Sequence, residues 1–159
     1  MVHDVGTPLP RGEHDMADRL ALRGLVDAYA RFVDRRDTAA VAGLFSPDGR
    51  LVSHFGGEGS GPLVHTGRAG IGAALVGGLA RYLATTHVVG GQVLVLDGDR
   101  ASGETTCLAH HVYLRGDERR MLVLAVRYHD EYVRLGGMWC FAERQLHLDW
   151  RDDRPLAER

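Results

Sequence analysis

The chain has 159 residues, 45% hydrophobic and 25% charged, which fits one soluble domain with room for a sizeable core. A net charge of −2 argues against nucleic acid or an acidic membrane surface as a partner. All 19 basic residues are arginine, so lysine bases and Schiff-base chemistry are excluded.

Residues 1–14 are polar, hold two prolines and read as a loose tail. They show neither the basic nor the apolar region of a signal peptide. No apolar stretch nears the roughly 20 residues that span a bilayer, so a cytoplasmic location is expected. From Asp15 a helical pattern starts: Leu20, Leu22, Leu25, Val26, Tyr29, Ala30 and Val33 recur at spacings of three and four. Asp15 or Asp18 is the expected cap. Asp34 follows this apolar face and reads equally well as a carboxylate turned toward the core or as a solvated helix end. Tyr29, five residues earlier, lies about 140° from it on an ideal helix. The two can share a cavity only if the helix passes beside one.

A second helix is expected over Thr38–Phe45, a turn at Ser46–Gly49 and a strand from Arg50 to Phe55. Gly56–Pro62 is a glycine-rich loop without a phosphate-binding pattern. Gly67–Ala80 reads as a third helix. Four strand-like runs follow, 86–96, 100–114, 119–134 and 138–150, joined by short polar or glycine-bearing links that predict hairpins. Helices first and a bent antiparallel meander after them predict an α+β fold, one domain over 15–150, with 151–159 as a C-terminal tail. Val133 opposite Tyr132 suggests apolar residues on both faces of the last strands, which need cover and point to a homodimer.

Cys107 and Cys140 lie in separate apolar runs and predict two reduced, buried thiols. The histidines show no metal-ligand spacing, and no flavin or nicotinamide pattern is present, so no metal and no cofactor are expected. His87 opens the apolar run HVVGGQVLVL, where a buried ring needs a partner. His110 and His111 face opposite sides of one strand. His111 shares its side with the small or polar Thr105, Cys107 and Ala109, which suits a cavity wall. Arg144 projects from the face of Ala142, Leu146 and Leu148 and there needs a counter-charge or a substrate oxygen. Tyr128, Phe55 and Trp139 are the candidate substrate-binding side chains.

LRGLVDAYARFVDRRD, LFSPDG, GRAGIGAAL, THVVGG and above all RYHDEYVRLGGMWCFAERQLHLDW resemble the SnoaL-like branch of the NTF2-like superfamily over about residues 15–150. The resemblance implies a cone, in which a curved, mixed or antiparallel sheet wraps around N-terminal helices and encloses a pocket. It also implies a homodimer or trimer. Within that superfamily the chain is similar to the scytalone dehydratases, bile-acid 7α-dehydratases and hexachlorocyclohexane dehydrochlorinases. That similarity implies an Asp34–His87 dyad, assisted by Tyr29, Arg144 and His111. Ser53-His54 stands where the scytalone dehydratases carry a tyrosine. The expected function is a cofactor-independent lyase acting on a small hydrophobic, oxygenated ring substrate. A polyketide cyclase or ketosteroid-type isomerase, or a binding domain without catalysis, is the alternative. Epoxide hydrolysis is poorly served, since Gln92 and Gln145 are the only amide side chains.

Overall fold

The computed structural model describes residues 12–56 and 59–157. The tail expected at 1–14 thus lies largely outside the described residues. Helix α1 spans Glu13–Asp34, two residues earlier than the pattern suggests, and has no side-chain cap. Asp18 is used differently: it accepts hydrogen bonds from Arg134 and from the Trp139 indole. Leu22, Val26, Tyr29, Ala30 and Val33 form the buried stripe of α1. A short helix, α2 (Thr38–Gly43), is capped by Asp37, whose carboxylate accepts from the Ala40 N–H. Helix α3 spans Gly67–Leu79.

The strands are β1 (Phe45–His54), β2 (Leu63–Thr66), β3 (Ala84–Asp97), β4 (Arg100–Arg115), β5 (Glu118–Leu135) and β6 (Met138–Pro155). They form one six-stranded sheet in the order β2-β1-β6-β5-β4-β3. Only β1 and β6 run parallel; the other neighbours are antiparallel. The expected turn at Ser46–Gly49 is instead an irregularity inside β1, where the register against β6 shifts between Phe45 and Arg50. The edge strand β2 escapes the sequence reading because four residues between two glycine-bearing segments carry too little alternation. Strand β6 runs on past residue 150 to Pro155, paired with β5 up to Arg120, so most of the expected C-terminal tail is sheet.

The hairpin links have positive φ at Gly98, Gly116, Gly136 and Gly137, the geometry that two-residue hairpin turns require. Further register shifts lie at Val89/Gln92, Ala125/Val126 and Glu131/Tyr132. Such bulges bend strands and increase twist, and here they curl the sheet around α1. The first bulge falls on Gly90-Gly91. A Cβ on Gly90 would collide with the Thr106 hydroxyl, so glycine is what lets β3 approach β4 there.

The inner face of the sheet packs on Leu22, Val26, Tyr29 and Val33 of α1 and Ile71 of α3. The outer face is largely polar, with the pairs Arg50–Glu143, Arg127–Asp149 and His129–Glu104 and a stack of His54 on His147. Val88, Val95, Leu108 and Leu114 are its exposed large apolar side chains on β3 and β4. Among the described residues no helix is long and apolar enough to cross a membrane.

Candidate active site

Between α1, α3 and the inner face lies a cavity of about 460 Å³. Its wall is mostly apolar: Val33 from α1, Leu75 and Leu79 from α3, Leu51 from β1, and Leu122, Leu124, Val126, Leu146 and Leu148 from β5 and β6. Tyr29, Tyr82, Tyr128, His87 and His111 supply polar groups, and Phe55 stands at the rim, half exposed. A largely apolar pocket with a few convergent polar groups is the usual form of a small-molecule site.

Asp34 is the last residue of α1. A carboxylate is disfavoured there, because the carbonyl end of a helix carries partial negative charge. Two hydrogen bonds from the start of β3 compensate. His87 Nδ1 lies 2.7 Å from Asp34 Oδ1, and the His87 backbone N–H donates to Oδ2 at 2.9 Å. Burial is the largest influence on Asp34 and raises its pKa. The ring and backbone hydrogen bonds and the charge of His87 together outweigh it and hold the carboxyl below its ordinary value. Arg36 braces the junction. It has a positive φ of 61° after the helix, and its guanidinium donates to the Thr85 hydroxyl and the Tyr82 carbonyl, both at 3.1 Å. An ionised Asp34 can only accept, so Nδ1 is the nitrogen of His87 that donates to it. The His87 side chain lines the cavity and is 7% exposed.

His111 faces the same cavity, and His110 lies on the other side of β4 near the Thr86 carbonyl. The His111 ring meets that of His87 edge to face at 5.8 Å and packs on Tyr82 at 4.5 Å. Its Nδ1 is buried without a hydrogen-bond partner among the described residues. Burial, and then the proximity of His87, lower its pKa to about 4. His111 is therefore a neutral imidazole near pH 7. Tyr29 is buried, and burial pushes its phenol up to about 12; Tyr128 is raised for the same reason. Both therefore stay protonated near pH 7, which leaves each hydroxyl able to donate a hydrogen bond.

Arg144 does not line the cavity as expected. It is 0% exposed and forms a bidentate pair with Asp130, at 2.8 Å to Oδ1 and 2.7 Å to Oδ2. The Tyr132 hydroxyl donates to the same carboxylate at 2.9 Å. The guanidinium lies 4.1–4.3 Å from the ring centres of Tyr29, Tyr128 and Phe141. It is thus sealed behind the tyrosines, and its counter-charge is a core carboxylate. Trp139 is also displaced from its expected role. Its indole bonds to Asp18 and stacks under Arg134 at 4.5 Å, away from the cavity, because the hairpin end of β6 packs on the first turns of α1. Sequence reasoning passed over Tyr82, Arg81, His65 and Arg151, which line the cavity. They come from a helix end, an unforeseen edge strand and a strand end beyond the expected boundary, where no periodic signal marks them.

The SnoaL-like domain profile matches residues 14–145. The chain belongs to the SnoaL-like family. Its three helices and six-stranded mixed sheet form the NTF2-like cone of the solved structures it is similar to. One is a candidate scytalone dehydratase from Novosphingobium aromaticivorans, 20% identical, with a TM-score of 0.74 over 90% of this chain and 91% of that one. Another is a type 2 hexachlorocyclohexane dehydrochlorinase, 24% identical, with a TM-score of 0.73 over 89% and 90%. A third is ActVI-ORFA from Streptomyces coelicolor, 21% identical, with a TM-score of 0.68 over 84% and 98%. At these identities the likeness concerns the fold. Compared with curated protein sequences, the chain finds no match.

Two expectations follow from the geometry. Asp130→Ala leaves Arg144 buried and unpaired, which should cost about 3–5 kcal/mol in urea denaturation, whereas Asp130→Leu with Arg144→Met should regain most of it. The second concerns His111. Unfolded, it takes up its proton near the ordinary value of 6.5; folded, only near 4. Below 6.5 the unfolded chain binds the extra proton, so falling pH destabilises the fold, by up to about 3 kcal/mol once pH reaches 4. His111→Phe should flatten this part of the stability–pH curve. An unchanged slope would show that His111 titrates normally.

Proposed function

We propose that this SnoaL-like protein is a cofactor-independent acid–base enzyme, a dehydratase acting on a hydrophobic, oxygenated ring compound. One observation carries the reading: a carboxylate bonded to both the ring and the backbone of a histidine that lines an apolar cavity. Asp34 fixes the tautomer of His87 and stabilises the imidazolium that forms when Nε2 accepts a proton.

In this reaction His87 Nε2 removes a proton from the carbon next to a ring carbonyl. The C–H electron pair moves into an enolate, whose oxygen accepts a hydrogen bond from a cavity phenol such as Tyr29. The enolate then re-forms the carbonyl and expels a hydroxyl from the neighbouring carbon, leaving a carbon–carbon double bond. The proton that completes the water comes back from the His87 imidazolium. His111 is neutral near pH 7 and serves the leaving oxygen as a hydrogen-bonding partner rather than as the acid. Arg144 acts at one remove: paired with Asp130, it holds the Tyr29 and Tyr128 rings in place. The apolar wall strengthens each of these interactions by excluding water. Ring closure or a double-bond shift would start from the same enolate, and a substrate without a β-hydroxyl would end there.

The test uses β-hydroxy ketones on fused rings, followed by the absorbance of the conjugated product, with deuterium uptake next to the carbonyl as a second readout. His87→Ala and Asp34→Asn should each lower turnover by about 10²–10⁴ with little change in melting temperature. The double variant should be scarcely worse than either, since the two residues act as one unit. Wild-type rates in a well-folded His87→Ala protein would remove the proposal.

A further inference from the structure

The charges around the cavity are lopsided. None of the side chains lining it is a carboxylate, yet Arg81 and Arg151 both line it. They reach it from different elements. Arg81 follows the end of α3. Its guanidinium lies 4.8 Å from the Tyr82 ring centre and donates to the Tyr82 hydroxyl at 2.6 Å, which holds it at the rim. Arg151 is turned inward by a bulge. Val126 pairs with Leu148 but Ala125 pairs with Trp150, so Asp149 is the extra residue. Beyond it the alternation of β6 resets, and Arg151 lies opposite Leu124, itself a cavity residue. Without that bulge Arg151 would face the outer side.

Both arginines also line the adjoining depression, which contains one carboxylate, Asp153. That carboxylate is occupied: it accepts from Arg115 at 2.8 Å, from Arg120 at 2.9 Å and from the Tyr113 hydroxyl at 2.7 Å. Among the described residues neither Arg81 nor Arg151 forms an ion pair, while nine other arginines do. Two guanidinium forks at the mouth of an apolar cavity match a carboxylate geometrically and electrostatically.

Resting on the reading above of the cavity as a substrate site, we infer that the substrate is a ring acid: its hydrophobic ring occupies the cavity beside His87, and a carboxylate on it is held at the mouth by Arg81 and Arg151. The pair sets specificity and orientation and takes no part in proton transfer.

The test compares 2-naphthoate with 2-naphthamide, which share size and ring and differ in charge, by titration calorimetry on the full chain. The wild type should bind the acid at least tenfold more tightly, and the preference should shrink as salt rises. Arg81→Gln with Arg151→Gln should abolish the preference and leave the affinity for the amide unchanged. Ala74→Trp, which places a ring in the cavity from α3, should remove binding of both probes. Equal wild-type affinities, a preference that survives the double substitution, or naphthoate binding that survives Ala74→Trp would each overturn the inference. Neither probe has a group to eliminate, so the outcome is independent of the dyad. An inert dyad would leave this preference standing, and a lost preference would leave the dyad standing.

Discussion

The rest of the structure depends on a single charge placed where water cannot reach it. Arg144 has no exposed surface, and burial alone would make its charge prohibitive. Asp130 on the neighbouring strand answers it with two parallel hydrogen bonds, and Tyr132 completes the carboxylate. The flat guanidinium then offers its faces to Tyr29, Tyr128 and Phe141. Those rings form part of the contact between α1 and the sheet, and two of them are also cavity wall. The ion pair therefore backs two rings of the cavity wall, one of them on α1. A well-packed apolar replacement could match its stability, but would not orient two phenols by the same means.

The Asp34–His87 end of the cavity follows from where α1 stops. Asp34 ends the helix at the point where β3 begins, and the junction is held by the His87 backbone, the His87 ring and Arg36. Because the backbone amide and the ring of one residue grip both carboxylate oxygens, the ring has little freedom to turn away. The two cavity histidines have different surroundings. His87 has a carboxylate partner to stabilise its cation, and His111 has none and is kept neutral by burial. The two imidazole rings meet edge to face, 5.8 Å apart.

Much of this was legible in the residues. The apolar stripe of α1 and the four long runs with glycine-bearing links define the helix and the meander, because period and turn chemistry are local properties. The side of β4 that carries His111 follows from alternation, which no bulge interrupts between Thr105 and His111. What stayed hidden is what depends on contacts across the chain. Arg144 reads from sequence as an inward-facing charge, but its partner is fourteen residues away on another strand, and spacing cannot tell Asp130 from a substrate oxygen. Trp139 looks like an apolar wall residue until the hairpin end is seen to pack on Asp18. Arg151 was lost because a bulge at Asp149 reverses the alternation on which its side would have been judged. The family resemblance supplied the pairing of Asp34 with His87, which neither periodicity nor spacing brings together.

The central claim is that Asp34 fixes the tautomer of His87, with the proton of the neutral ring on Nδ1. Nitrogen-15 NMR of protein labelled at histidine reads this directly and needs no substrate. For the neutral His87 ring the account predicts a protonated Nδ1 and a proton-free Nε2, with that tautomer preference weakened or lost in Asp34→Asn. A His87 ring protonated on Nε2 alone, or a tautomer indifferent to the Asp34 substitution, would contradict it.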